Sequence, residues 1–243
     1  HFDPPKELEY TIEAGRADTI TPEKLQVIRD AGANRISINP QTLNDQVLEA
    51  VGRRHTAKDV IDKFHMAREV GIDCINMDLI AGLPCDTQSS FVSSLEQVLA
   101  LAPSNITVHT LALKKGADLF FARSSLPSAE TVREMLSAAE ARLRSAGYSP
   151  YYLYRQKYMS GSFENVGWCK PGFEGLYNIY MMEELHSIVS LGGGGMTKIN
   201  LPDGRLERFH NPKFPQQYID RIEDILKQKD EAFALLTQPS EPL

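Results

Sequence analysis

The sequence predicts an α/β fold in which an open, partial βα barrel is followed by a small α+β extension. Strand-like and helix-like segments alternate through the first half in units of about 30 residues, as in right-handed βαβ crossovers with a parallel sheet. Each predicted strand has one polar and one apolar face. Because the pattern changes after residue 148, we expect barrel sequence over 1–148 and the extension, with a glycine-rich turn and terminal helices, over 149–243.

Four strands and their connecting helices are expected in the first half. The strands are predicted at 7–14, 34–40, 74–81 and 105–113, and the helices are predicted to begin at Thr21, Asn44, Thr56, Thr87 and Ser128. Hydroxyl and amide side chains of this kind favour helix N-termini because they accept hydrogen bonds from free backbone N–H groups. Beyond the boundary we predict a strand at 151–158, a turn-rich stretch at 160–175 and an amphipathic helix at 214–229.

One face of the predicted sheet is polar on every strand. Its members are Glu9, Thr11, Glu13, Ser37, Asn39, Gln41, Cys74, Asn76, Asp78, Thr107 and His109. Parallel sheets are normally apolar on both faces, since helices cover them. Burying unpaired polar groups costs a few kcal/mol each. The pattern therefore predicts the inside of an open barrel that holds a polar ligand.

Candidate binding residues lie where these strands end, which is where βα barrels bind their ligands. They are Glu13, Gln41 and Asp78, with Arg53 just beyond a strand. A single carboxylate there is often structural, but Asp78 is flanked by apolar residues and needs donors such as ribose hydroxyls or an amino group. The basic triplet Arg53-Arg54-His55 is either a solvated face or a carboxylate-binding group.

Charge and hydrophobicity limit the classes of function that this chain can have. The formal net charge of −6 argues against a broad nucleic-acid surface, and no apolar run is long enough to span a membrane. With no signal-peptide pattern, a cytoplasmic location is expected.

The spacing of Cys74, Cys85 and Cys169 matches no metal motif, so we expect no metal ligands in this chain. The Gly192–Gly195 run lacks the Gly-Lys pair of a phosphate loop and predicts a tight backbone approach.

Three segments carry a family resemblance. They are Tyr10-Thr11-Ile12-Glu13, Asn34-Arg35-Ile36-Ser37-Ile38-Asn39-Pro40-Gln41 and Asp78-Leu79-Ile80-Ala81-Gly82-Leu83-Pro84. In order and spacing they resemble the middle of the radical S-adenosylmethionine (SAM) barrel of oxygen-independent coproporphyrinogen III oxidases. The resemblance implies a partial barrel of the radical SAM type. It also implies that Glu13, Gln41, Arg53 and Asp78 contact the methionyl and ribose parts of SAM, with Ile80 and Ala112 near its adenine.

The resemblance further implies an activity and its cofactors. The family's Cys-x-x-x-Cys-x-x-Cys motif, which binds an iron–sulfur cluster, is expected upstream of residue 1, so this chain alone is expected to be inactive. The intact enzyme would take electrons from a donor and oxidatively decarboxylate the propionates of coproporphyrinogen III to vinyl groups, a step of haem biosynthesis. From charge alone, Arg54 and Lys114 are candidates for binding substrate carboxylates.

Two rival functions stay open at this point. Related haem chaperones carry His-Asn-x-x-Tyr-Trp where this chain has Tyr177-Asn178-Ile179-Tyr180-Met181-Met182. The missing histidine and tryptophan count against a chaperone that ligates haem there, but a non-catalytic haem-binding relative remains the alternative. A sugar- or nucleotide-handling barrel of another class is the second rival, and it predicts no SAM binding.

Overall fold

The computed structural model describes residues 8–112, 126–155 and 163–236. They divide into two compact units, 1–175 and 176–243. In the first unit, six described strands form one sheet in the order β1-β2-β3-β4-β6-β5. Their bounds are Thr11–Gly15 (β1), Arg35–Ile38 (β2), Cys74–Ala81 (β3), Asn105–Thr110 (β4), Ser149–Tyr154 (β5) and Asn165–Cys169 (β6).

Strands β1 to β4 are parallel, and β6 and β5 extend the sheet in antiparallel pairing. Five α-helices are described in this unit, with bounds Pro22–Asp30 (α1), Asp45–Ala50 (α2), Ala57–Glu69 (α3), Gln88–Leu101 (α4) and Ala129–Ser145 (α5). The described sheet does not close on itself. The predicted fold class, a partial open βα barrel, is therefore confirmed.

The predicted caps account for the helix starts. Thr21 accepts a hydrogen bond from the N–H of Lys24, with Pro22 at the first helical position. At α3 the hydroxyl of Thr56 accepts from the N–H of Asp59, and the Asp59 carboxylate accepts from the N–H of Thr56. This reciprocal capping box satisfies two backbone donors that no helical carbonyl can reach.

The apolar face of the sheet forms the core of the first unit. Its buried strand residues are Ile36, Ile38, Ile75, Met77, Leu79, Ile106 and Val108. Helices α1, α3, α4 and α5 pack Leu25, Phe64, Phe91 and Met135 among the same group of side chains. Burying each such side chain contributes roughly 1.5–3 kcal/mol. This burial fixes the strand register and directs the alternate, polar residues to the opposite face.

The turn-rich interpretation of residues 160–175 was wrong in part, because β6 lies within that stretch. Its residues pair with both β4 and β5, so they belong to the same sheet as the parallel strands. Consequently the two compact units divide after Gly175, whereas the expected division followed residue 148. The sequence around Gly167 does not indicate a strand, because glycine is unfavourable in strands.

The described part of the second unit contains a two-stranded antiparallel sheet and three helices. The strands are Met196–Asn200 (β7) and Leu206–His210 (β8), and the helices are Leu176–Glu183 (α6), Pro215–Asp220 (α7) and Ile222–Leu236 (α8). The small α+β extension is thus confirmed, although the single helix predicted at 214–229 is divided at Arg221. In the glycine run, a side chain at Gly195 would overlap Ser190, which agrees with the predicted tight approach.

Candidate functional site

A continuous hydrogen-bonded row crosses the polar face of the sheet. The Ser37 hydroxyl donates to Glu13 Oε1 (3.0 Å), and Asn76 Nδ2 donates to Ser37 Oγ (3.3 Å) and to Asp78 Oδ1 (2.8 Å). From the next strand, the Thr107 hydroxyl donates to Asn76 Oδ1 (3.2 Å). These bonds offset the cost of placing polar groups on a partly buried face. They also link the predicted residues Glu13 and Asp78 through the chain's own side chains.

A pocket of about 280 Å³ lies at the carboxyl ends of β3 and β4. Its lining residues are Gln41, Asp78, Ile80, His109, Thr110, Leu111, Ala112, Tyr154 and Asn165. The carboxyl ends of parallel strands leave a crevice of this kind because the chain turns away there into the following helices. Apolar side chains of Ile80, Leu111 and Ala112 share the pocket with one carboxylate and several neutral polar groups.

Gln41 reaches the pocket through an unusual backbone conformation. Its φ is +66°, in the left-handed region that non-glycine residues rarely adopt. Its N–H donates to the carbonyl of Asp78 (2.9 Å), and its carbonyl accepts from the N–H of Ile80 (2.9 Å). The two bonds hold the residue after Pro40 against the end of β3. Since such a conformation costs about 1 kcal/mol or more, the surrounding structure must stabilise it.

Asp78 is the only carboxylate among the described lining residues. One oxygen accepts the hydrogen bond from Asn76, and the other lies 3.3 Å from Nε2 of His109. Nearby, the Thr110 hydroxyl is buried and has no hydrogen-bond partner among the residues that the structure describes. A buried hydroxyl without a partner costs on the order of 1–3 kcal/mol, which a polar ligand in the pocket would recover.

Four of the six residues that the resemblance assigns to SAM line this single pocket: Gln41, Asp78, Ile80 and Ala112. Glu13 is not a lining residue and connects to Asp78 only through the polar row. Burial raises the pKa of Glu13, the negative charge of Asp78 raises it further, and the hydrogen bond from Ser37 opposes both effects.

The basic candidate residues Arg53 and Arg54 are not among the described pocket residues. Arg53 is half-buried near Arg16 and Asp18, and its pKa is lowered by burial and by the neighbouring Arg16 charge. Arg54 is exposed and is not among the described pocket residues. Lys114 lies outside the described residues. The structure therefore brings neither described basic candidate into the pocket.

Sequence reasoning missed the wall contributed by the antiparallel strands, namely Tyr154 on β5 and Asn165 on β6. Asn165 accepts a hydrogen bond from the backbone N–H of Thr110 (2.7 Å), which fixes the end of β4. His109 was predicted to face the polar side, but no role in ligand binding was predicted for it. Alternating tyrosines at 152 and 154 could have indicated a face directed toward the site.

The pocket suits a nucleoside better than a metal cluster. A carboxylate, an unpaired hydroxyl and an apolar patch match the ribose and base of SAM, and Gln41, Asp78, Ile80 and Ala112 are the residues that would hold it. Across residues 8–112, 126–155 and 163–236, no group of three or more histidine, cysteine or acidic side chains is placed to bind a metal ion. An iron–sulfur cluster therefore does not fit the described residues. Within the same ranges, no helix is long and apolar enough to cross a bilayer.

Comparisons with known proteins agree with the resemblance. The Radical SAM superfamily model matches residues 3–98. The oxygen-independent coproporphyrinogen-III oxidase-like protein HemZ of Bacillus subtilis is 43% identical over 224 residues, which cover 91% of this chain and 45% of that protein. The heme chaperone HemW of Haemophilus influenzae is 26% identical over 212 residues, which cover 87% of this chain and 52% of that protein. The chain thus spans about half the length of these relatives.

Among solved structures, coproporphyrinogen III oxidase (HemN) from Escherichia coli matches with a TM-score of 0.69 at 22% identity, over 90% of this chain and 50% of that chain. The archaeal Elp3 of Methanocaldococcus infernus matches with a TM-score of 0.50 at 18% identity, over 55% of this chain and 33% of that chain. At these identities the likeness concerns the fold. Together with the sequence matches, it confirms the resemblance: the chain belongs to the radical SAM superfamily, and its first unit is a partial barrel of that type.

Proposed function

We propose that this chain is the SAM-binding part of a radical SAM oxidoreductase that acts on a porphyrinogen. The reaction we infer is oxidative decarboxylation of two of the four propionate side chains of coproporphyrinogen III to vinyl groups, giving protoporphyrinogen IX. Each conversion removes one hydrogen atom, which SAM chemistry takes up, releases CO2 and passes one electron to an acceptor. The observation that carries the proposal is the single pocket that brings together Gln41, Asp78, Ile80 and Ala112. The 43% identity to a coproporphyrinogen-III oxidase-like protein supports the substrate class.

When bound beside a reduced iron–sulfur cluster, SAM supplies hydrogen-atom abstraction from an unactivated carbon. The residues of this chain would bind and orient it. Asp78 would accept hydrogen bonds from the ribose hydroxyls, and Ile80 and Ala112 would pack on the base and keep water from it. Bonds from a carboxylate to hydroxyl donors are charge-assisted and therefore strong in a partly buried site. Gln41, held at the end of β3, would add an amide to the same group of polar contacts.

The cluster ligands in this proposal come from outside the described residues, in keeping with the absence of a three-ligand group there. The reduction of the cluster requires an electron donor, which we propose as a partner. Glu13 and Arg53 do not line the pocket, and we propose them as contacts for the methionyl end of SAM. Arg54 and Lys114 stay proposed contacts for substrate carboxylates, and a cytoplasmic location stays part of the proposal.

A haem carrier is the second candidate, because several relatives at 26–30% identity are named heme chaperones. The stretch 177–182, which lies within α6, has tyrosine and methionine where the chaperones have histidine and tryptophan. This difference favours the oxidoreductase. Titration of the protein with haem would distinguish the two, since a carrier predicts tight binding with a defined Soret shift and no turnover.

The direct test uses the full-length protein with its cluster reconstituted without oxygen. SAM, a reductant and coproporphyrinogen III are added, and 5′-deoxyadenosine and protoporphyrinogen IX are followed by chromatography. The proposal predicts that both products form together. Formation of 5′-deoxyadenosine alone would refute the substrate and retain the radical SAM class. Absence of both products from protein with a demonstrated cluster would refute the oxidoreductase and favour the haem carrier.

A further inference from the structure

His109 lies between Asp78 and Tyr154 at the pocket. Its Nε2 is 3.3 Å from Asp78 Oδ2, and its Nδ1 is 3.3 Å from the hydroxyl of Tyr154. The His109 and Asp78 side chains are both about one-fifth exposed, at 22% and 18%. All three residues line the same pocket. The imidazole therefore connects the carboxylate to the phenol of Tyr154 on β5.

A stack of aromatic side chains packs against His109. The Tyr154 ring packs edge-on to His109, and Tyr152 lies parallel to Tyr154 with ring centroids 6.2 Å apart. The Tyr152 hydroxyl is 3.4 Å from the hydroxyl of Thr107. To reach it, the Tyr152 ring crosses β6 at Gly167, where any side chain would overlap it. The position of Tyr154, and hence of His109, is thus fixed by strand pairing.

We propose that His109 is a positioning residue that orients the Asp78 carboxylate for a ligand with vicinal hydroxyls. This inference rests on the proposed function, because it takes the ligand of the pocket to be an adenosine derivative. Nothing in the resemblance assigns a role to His109, Tyr152 or Tyr154. The inference adds a second group of residues, from β4 and β5, to those that act on the ribose.

Hydrogen-bond chemistry gives the direction of the effect. When the Tyr154 phenol donates to Nδ1 of His109, the neutral imidazole carries its proton on Nε2, facing Asp78. Asn76 donates to the other carboxylate oxygen. An ionised carboxylate has about four acceptor positions, so positions remain for the ligand while Asn76 and the imidazole 3.3 Å away restrict the plane of the group. Loss of the imidazole would let the carboxylate rotate and would weaken its bonds to the ligand hydroxyls.

The test measures nucleoside binding by the full-length protein without reductant, so that no turnover occurs. Adenosine and 2′,3′-dideoxyadenosine are the two probes, titrated by ligand-observed NMR. The variants are His109→Phe, which keeps a ring without nitrogens, His109→Gln, which keeps a donor, and Tyr154→Phe, which removes one hydroxyl. Asp78→Ala and the double variant with His109→Phe complete a double-mutant cycle. Circular dichroism establishes that each variant is folded.

We expect His109→Phe to weaken adenosine binding about tenfold, as for loss of one hydrogen bond to a charged group. His109→Gln should restore most of the affinity, and Tyr154→Phe should lower it about threefold, because the imidazole tautomer is then less fixed. Binding of the dideoxy probe should be unchanged in all three, and His109→Phe should have no further effect once Asp78 is alanine.

A role of His109 in folding or shape alone predicts equal losses for both probes and additive effects with Asp78→Ala. That result, in a protein that binds adenosine normally, would overturn the inference and leave the proposed function intact. Failure of the unmodified protein to bind either nucleoside would overturn the proposed function and the inference together.

Discussion

At the scale of single residues, the polar face combines bonds that stabilise the fold with charges that oppose it. Glu13 and Asp78 lie on the same face, two strands apart, and are linked through Ser37 and Asn76. Ser37 donates one hydrogen bond to Glu13 and Asn76 donates one to Asp78, but two negative charges on a partly buried face repel each other. Burial, and to a smaller extent the charge of Asp78, raise the pKa of Glu13.

This shift predicts how stability depends on pH. Because the pKa of Glu13 is higher in the folded than in the unfolded protein, its contribution to stability is complete below the unfolded value and is lost as pH rises through the folded one. Glu13→Gln should therefore increase the free energy of unfolding at pH 7 and have little effect near pH 4. Since the carboxylate lies on a partly buried face but remains accessible to solvent, screening limits the gain to about 1 kcal/mol or less.

Urea denaturation of both proteins at the two pH values measures this difference. Glu49→Gln, on an exposed face of α2, is the matched control for removal of one carboxylate. A Glu13→Gln protein that is less stable than the parent at pH 7 would contradict the account, because it would mean that the ionised group stabilises the fold.

At the scale of elements, strand β6 allows two distant strands to interact. It lies between β4 and β5, and Gly167 stands opposite both Thr107 and Tyr152. The absence of a side chain at Gly167 opens a path for the Tyr152 ring across the strand, and burial there raises the pKa of the Tyr152 phenol. Glycine is therefore required at position 167 for the packing of the pocket wall, and not for an unusual backbone angle.

We predict that Gly167→Ala destabilises the protein by about 1–3 kcal/mol, as other overpacking substitutions do, and weakens adenosine binding through Tyr154 and His109. Gly193→Ala is the control, since an added Cβ there meets only ordinary contacts. Chemical denaturation and a nucleoside titration of both variants measure the two effects. Equal stability of the Gly167 and Gly193 variants would show that the Tyr152 ring does not require this path.

Strands β3 and β6 show which features of the fold could be predicted from the sequence. Strand β3 was predicted with its observed bounds because an eight-residue alternating run has a clear period of two. The polar row followed from that period on four strands. Strand β6 and its neighbour's tyrosines were missed, because Gly167 and the surrounding turn residues conceal a strand that is formed by pairing with distant sequence. The part of the pocket that they contribute could not be found for the same reason.

At the scale of the whole molecule, the chain spans about half the length of its curated relatives. Its described barrel contains the pocket lined by Gln41, Asp78 and Ile80, and its described residues contain no metal-binding group. We therefore propose that this chain includes the SAM-binding part of the enzyme and that residues outside the described part hold the cluster. Strand periodicity predicted that Glu13 and Asp78 share the polar face, whereas Arg53 follows α2 and its place relative to the pocket required coordinates.

The most direct test of this account is the affinity of the full-length protein for SAM before and after Asp78→Ala, measured by equilibrium binding without reductant. Asp62→Ala, on the exposed side of α3, is the control. The account predicts at least a tenfold loss of affinity for Asp78→Ala, because the variant removes charge-assisted bonds to the ligand, and no change for the control. Unchanged SAM affinity in a folded Asp78→Ala protein would contradict the claim that this pocket is the SAM site.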